Sequence, residues 1–153
     1  MKAKTSKKIV LFLITLIIIF FGITGTANSQ DKIIGKVISK NEANNLFGPV
    51  ISSVTISASQ LNSWLTKSEN YIMFAIKNNK LFVLGDNRTP IATNGSSISP
   101  GEIFHIYSKS KVQELLSSGE GTAIVFEIRQ NVFSITKDES TLEFGDNCPP
   151  YCW

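Results

Sequence analysis

Three segments of this chain carry the same nine-residue design, and that recurrence restricts the fold more than any other feature. Residues 39–47, 57–65 and 108–116 align without gaps. Each opens with Ser and has Asn or Ser two places later. Apolar residues then fall at matching places: Ala43, Leu46, Phe47; Leu61, Trp64, Leu65; and Val112, Leu115, Leu116. That spacing is one face of a helix, and the leading hydroxyl suits capping of the first free helical amides. Each segment also follows β-prone residues, at 36–38, 54–56 and 103–107. Strand, capped turn and short helix are therefore predicted three times.

The second and third copies continue alike. Residues 69–84 read as a hairpin whose strands, 71–77 and 80–84, turn through Asn78-Asn79. Residues 122–129 return through Gln130-Asn131 into 132–136. Asn tolerates the left-handed backbone that tight hairpins require, so the first turn has a mechanism. Along 123–128 the strongly apolar Ile124, Phe126 and Ile128 alternate with Ala123, Val125 and Glu127, as in a strand with one well-buried face. Between the halves lies residues 85–101, rich in Gly, Asn, Ser, Thr and Pro and read as a long surface loop. The expectation is a single small α+β domain over residues 30–144. It has a mainly antiparallel sheet and two or three short helices, and its two halves form an internal pseudo-repeat.

Residues 1–29 belong to another category. Lys2, Lys4, Lys7 and Lys8 precede an apolar run at 9–23 broken only by Thr15 and Gly22, and small or polar residues follow to Gln30. Charge, apolar segment and small-residue exit is the order of a signal peptide, with cleavage after Ala27 or Ser29. The rival is an uncleaved N-terminal anchor, since the run sits at the lower edge of what spans a bilayer. Both place the rest of the chain in a periplasmic, extracellular or other extracytoplasmic compartment.

Setting this segment aside changes the charge argument. The chain has fifteen basic and twelve acidic residues, but four basic ones and no acidic ones precede Gln30. Eleven basic residues then face twelve acidic ones. With no basic stripe left, nucleic acid loses its electrostatic basis as a partner.

Cys148 and Cys152 bracket Pro149-Pro150-Tyr151 in a tail at 145–153. In an oxidising compartment such a pair most simply forms a local disulfide. The alternative is a redox or soft-metal pair, although three intervening residues depart from thioredoxin-like spacing. Tyr151 and Trp153 are candidate partner-binding anchors, or rings that fold back onto the domain. Pro149 and Pro150 oppose reading this end as the last strand of an outer-membrane barrel.

His105 is the only histidine, on a strand face shared with Ile103 and Tyr107. Nothing resembling a nucleophile elbow, a zinc-protease helix, a phosphate loop or a dinucleotide fingerprint accompanies it. The repeated Gly85-Asp86-Asn87 and Gly145-Asp146-Asn147 read as strand-ending turns rather than calcium loops. Asn87-Arg88-Thr89 and Asn94-Gly95-Ser96 fit the glycosylation acceptor pattern, with Pro90 weakening the first. The expected role is non-enzymatic binding of a protein or envelope component, with no catalytic residue, cofactor or metal assigned. Thiol redox or metal handling, and a small enzyme using His105 as its base, are the alternatives.

Overall fold

A computed structural model describes residues 32–130, 132–150 and 152. The leader or anchor expected at 1–29, Asn131 of the second hairpin turn, and the anchors Tyr151 and Trp153 lie outside the described residues. In chain order the elements are β1 (Lys36–Ser39), α1 (Lys40–Phe47), β2 (Ser52–Ser57), α2 (Ala58–Leu65), β3 (Tyr71–Lys77), β4 (Lys80–Leu84) and β5 (Pro90–Ala92). There follow β6 (Phe104–Ser108), α3 (Lys109–Leu116), β7 (Ala123–Ile128), β8 (Phe133–Lys137), β9 (Ser140–Glu143) and β10 (Asp146–Cys148).

Each of the three strand–Ser–helix segments forms a strand that passes through its Ser into an eight-residue helix. The Oγ atoms of Ser39 and Ser57 accept from the amides of Glu42 and Gln60, both at 3.1 Å, and so satisfy donors the helix leaves free. Ser108 stands in the same place but its hydroxyl is taken elsewhere. It accepts from Ile34 N at 2.7 Å and donates to Lys32 O at 3.3 Å, fastening the start of the domain to β6. At the first hairpin turn Asn78 and Asn79 adopt φ of 49° and 58°. The stretch at 85–101 contains a short 3-10 turn at Asp86–Arg88 and the strand β5, and the tail contributes β10.

The strands form two antiparallel five-stranded sheets, ordered β1-β9-β8-β7-β2 and β10-β6-β3-β4-β5, in an α+β fold. Hairpin β3–β4 pairs with β6, whereas hairpin β7–β8 pairs with β2, so each hairpin joins a strand from the other half of the chain. The inner faces meet through Phe74 and Phe126, whose ring centroids are 4.8 Å apart. Leu61 and Leu65 of α2 and Val112 and Leu115 of α3 complete this core. Lys137 caps α3, its ammonium donating to the carbonyls of Leu116, Ser118 and Gly119 at 2.7–2.8 Å.

Helix α1 departs from its two counterparts. Only Ala43 is buried on it, and Leu46 is 57% exposed. The reason is placement: α1 lies over the outer face of the first sheet, where Arg129 bonds Asn44 and Gly48 at its end. Among the described residues, no helix is long and apolar enough to cross a membrane.

Candidate functional site

The chain leaves the first sheet at the end of β9 and enters the second at β10 through Phe144 and Gly145. Gly145 has no side chain to spare, because a Cβ there would stand 2.5 Å from Cζ of Tyr107. Tyr107 in turn donates its hydroxyl to Phe133 O at 2.6 Å, linking the sheets at the same point. Its burial pushes the phenol well above its ordinary pKa, helped by the charge of Glu143. This crossing is therefore rigidly packed. Phe144 sits on it with φ of 60° and 53% of its surface exposed. A bulky residue in the left-handed region costs about 1–3 kcal/mol. Here that conformation turns an aromatic ring outward.

Beside Phe144 a cleft of about 260 Å³ opens, walled by Phe47 and Val132, with Phe133, His105 and Asn147 on its other sides. The Phe144 ring meets Phe47 edge to face, with centroids 5.5 Å apart and planes at 72°. His105 stacks on Phe133 at 4.7 Å and 11°. A smaller hollow of about 170 Å³ continues past Phe47 and Val132 to Leu46 and Gln130. The walls are mostly ring faces and edges. Burial lowers the pKa of His105, against a hydrogen bond that its ring donates to Asn147 and that raises it, so the site favours the neutral imidazole. Among the described residues, no carboxylate, hydroxyl or thiol side chain lines the cleft. The cleft can bury an apolar group and offer it hydrogen-bond partners in His105 and Asn147.

Immediately behind it lies a charged cluster on the outer face of the first sheet. Arg129, 1% exposed, gives Nη1 to Asn44 Oδ1 at 2.8 Å and Gly48 O at 2.6 Å, holding the end of α1. Its Nη2 donates to Glu127 Oε2 at 2.8 Å, and Nε stands 3.9 Å from Glu143 Oε1. Ser134 Oγ donates to that Glu143 oxygen at 2.5 Å. Burial raises the Glu143 carboxyl to about 7, with the charge of Glu127 adding to it and Ser134 and Arg129 opposing it. Phe47 lies between Asn44 and Gly48 of this cluster in sequence, and Phe144 directly follows its Glu143.

Of the described residues singled out from sequence, His105, Gly145 and Asn147 line the cleft, whereas Cys148, Cys152 and Asp86 are not among its lining residues. Cys148 and Cys152 form a disulfide with a Cα separation of 4.9 Å. Cys148 is buried in the apolar outer face of the second sheet, where Arg88 Nη1 reaches its carbonyl at 3.1 Å and its Sγ at 3.3 Å. Asp86 accepts from Ser68 Oγ and the amides of Glu69, Asn70 and Tyr71, which lower its carboxyl despite the opposing effect of burial. Among the described residues, no group of three or more His, Cys, Asp or Glu side chains could hold a metal ion.

Phe47, Phe133 and Phe144 were not legible as a site, because they come from three distant segments. The one local signal was an aromatic residue before Gly145 at a strand end. Comparison with protein-family models, curated proteins and solved structures finds no match to this chain.

Proposed function

We propose that this chain is an exported, non-enzymatic binding domain that seats one apolar side chain of a partner polypeptide in the cleft between Phe144 and Phe47. The observation that carries this reading is Phe144: a strained, outward-facing aromatic ring at the mouth of an aromatic cleft. Volume selects the occupant, since about 260 Å³ lies below the range of pockets that hold cofactor-sized molecules. A single large side chain fits, and rigid aromatic walls lose little entropy in binding it. Export is supported by the basic, apolar and small-residue order of the first thirty residues and by the local disulfide.

Panning a random-peptide display library against the exported chain tests the binding reading. The expected result is enrichment of peptides sharing an apolar anchor, whose binding falls at least tenfold on Phe144→Ala and Phe47→Ala. Enrichment indifferent to both substitutions removes the cleft from the function. Intact-mass measurement of the recovered chain, with and without reductant, tests export and the disulfide together.

A second reading, thiol exchange, draws on Arg88. Cys152 is exposed whereas Cys148 is buried beside the guanidinium. A partner dithiol would attack Cys152 Sγ, form a mixed disulfide there and release Cys148 as a thiolate next to Arg88. Exchange with a dithiol reductant that is no slower in Arg88→Gln would remove this reading.

A further inference from the structure

Four strands end the two sheets, and three of them carry features that discourage pairing with another chain. β1 is four residues long and begins at Lys36. β5 has three residues, starts at Pro90, and its pairing with β4 is interrupted by a register shift. β10 also has three residues and is followed by Pro149 and Pro150. Shortness, charge, proline and irregular pairing are the usual protections of a sheet edge. β2 is neither short, charged nor interrupted by proline, and its pairing is irregular only before its first residue, where Ile51 N also donates to Ile128 O. It is six residues, Ser-Ser-Val-Thr-Ile-Ser, uncharged and paired with β7 at every position from Ser52 to Ser57.

The ladder fixes which peptide groups are open. Ala58 N donates to Thr122 O one step beyond the Ser57–Ala123 pair, so the even-numbered residues of β2 direct their peptide groups to β7. Those of Ser53 and Thr55 point to the free edge. Among the described residues nothing pairs with them there.

We propose that β2 pairs with β2 of a second copy of this chain, antiparallel about a two-fold axis at Thr55, joining the two first sheets into one of ten strands. Self-complementarity selects this occupant. A two-fold axis perpendicular to the sheet keeps each face on its own side, so residues of the same parity must oppose each other. With Thr55 opposite Thr55 of the second copy, Ser53 opposes Ser57, and Val54 opposes Ile56. The exposed face then carries only hydroxyl pairs. The core face carries two β-branched apolar pairs, from residues that are half-buried in the single chain. Thr55 supplies a hydrogen-bonded pair at the axis itself, because its peptide group already faces outward. No like charges meet. Val50 and Ile51, 41% and 67% exposed, stand at the start of the strand and add apolar surface to the contact. Two-fold pairing consumes the one unprotected edge in each copy, so assembly closes at the dimer.

Sedimentation velocity of the chain recovered after export, in the form the host leaves it, tests this proposal. The expected result is a concentration-dependent species of twice the monomer mass. Thr55→Lys, which sets two ammonium groups opposite each other, should return it to monomer with an unchanged circular dichroism spectrum. Thr55→Pro should do the same by removing only an outward amide, which an edge strand tolerates. Thr55→Cys should cross-link on mild oxidation, because residues directly opposed in a hydrogen-bonded pair have Cα atoms about 5.5 Å apart. Ser57→Cys should not cross-link to itself, since its partner is Ser53. A chain that stays monomeric to its solubility limit overturns the proposal, as does a dimer that Thr55→Lys leaves intact. Protection of β2 amides only when a foreign polypeptide is added would assign the edge to another strand and reject self-pairing.

Discussion

The two sheets share an inner core yet bury their outer faces by opposite chemistry. Behind the first sheet lie Glu127, Arg129, Ser134, Thr136, Thr141 and Glu143, all buried, with α1 laid over them. Behind the second lie Met73, Ala75, Phe82, Leu84, Phe104 and Ile106, with Ile98 packed against them. Cations fasten both covers but meet different partners. Arg129 answers two carboxylates and the end of a helix. Arg88 answers the backbone carbonyls of Ser99, Glu102 and Cys148, while Lys77 lies over the rings of Phe82 and Phe104 and pairs with Glu102. An apolar face is stabilised by area and tolerates small shifts. A buried ionic face requires every partner in place.

That difference is open to attack, most strongly at Arg129. Arg129→Ala would strand two buried carboxylates and release the end of α1. A loss of about 3–5 kcal/mol in denaturant unfolding is expected. A loss under 1 kcal/mol would mean the cluster is not the rigid element described above.

The pH dependence of stability follows, and the two regions have opposite signs. The Glu143 carboxyl is raised from 4.5 to about 7 on folding, so the native chain binds this proton more tightly than the unfolded chain does. Its contribution is full below about pH 4.5 and is lost as pH rises to about 7, by roughly 3 kcal/mol. Asp86, lowered by its hydrogen bonds beside the second sheet, contributes above its ordinary pKa and loses that contribution as pH falls through its folded value. Urea midpoints from pH 5 to 8 should therefore fall with rising pH more for the native sequence than for Glu143→Gln, because the lowered His105 pKa works the other way below about pH 6.5 in both. Equal slopes would break the assignment.

On the apolar side a smaller effect is expected. Arg88→Ala removes hydrogen bonds from a half-buried group and should cost about 1–2 kcal/mol. Amide exchange at 96–103 should quicken while β7 and β8 remain protected. Smallest are the caps: Ser39→Ala and Ser57→Ala should each cost about 1 kcal/mol. Ser108→Ala should instead speed exchange at Ile34, whose amide bonds its hydroxyl.

Much of the local structure was legible because its causes are local. Asn78-Asn79 closes a hairpin through its own backbone preferences, and each helix carries its Ser and its apolar spacing within nine residues. Three things were not local. α1 has the same apolar pattern as α2 and α3, but nothing in residues 40–47 says that the surface beneath it is polar, so Leu46 was expected inward and lies outward. β9, in Ser-Thr-Leu-Glu, has little intrinsic signature and is made a strand by β1 and β8 on its two sides. Glu127 and Glu143 look like ordinary exposed alternations, and only Arg129 and α1 bury them.

The sequence by itself determined the strand–Ser–helix units, the first hairpin turn, the α+β class and the proximity of Cys148 to Cys152. Each follows from backbone preference or spacing over fewer than ten residues. Tertiary structure alone decided that each hairpin joins a strand from the other half, that one outer face is ionic and the other apolar, and that Phe47, Phe133 and Phe144 share one cleft. The physical reason is range. Side-chain patterning fixes which face of an element is buried, whereas the neighbour that buries it is chosen by pairing and packing between segments distant in sequence.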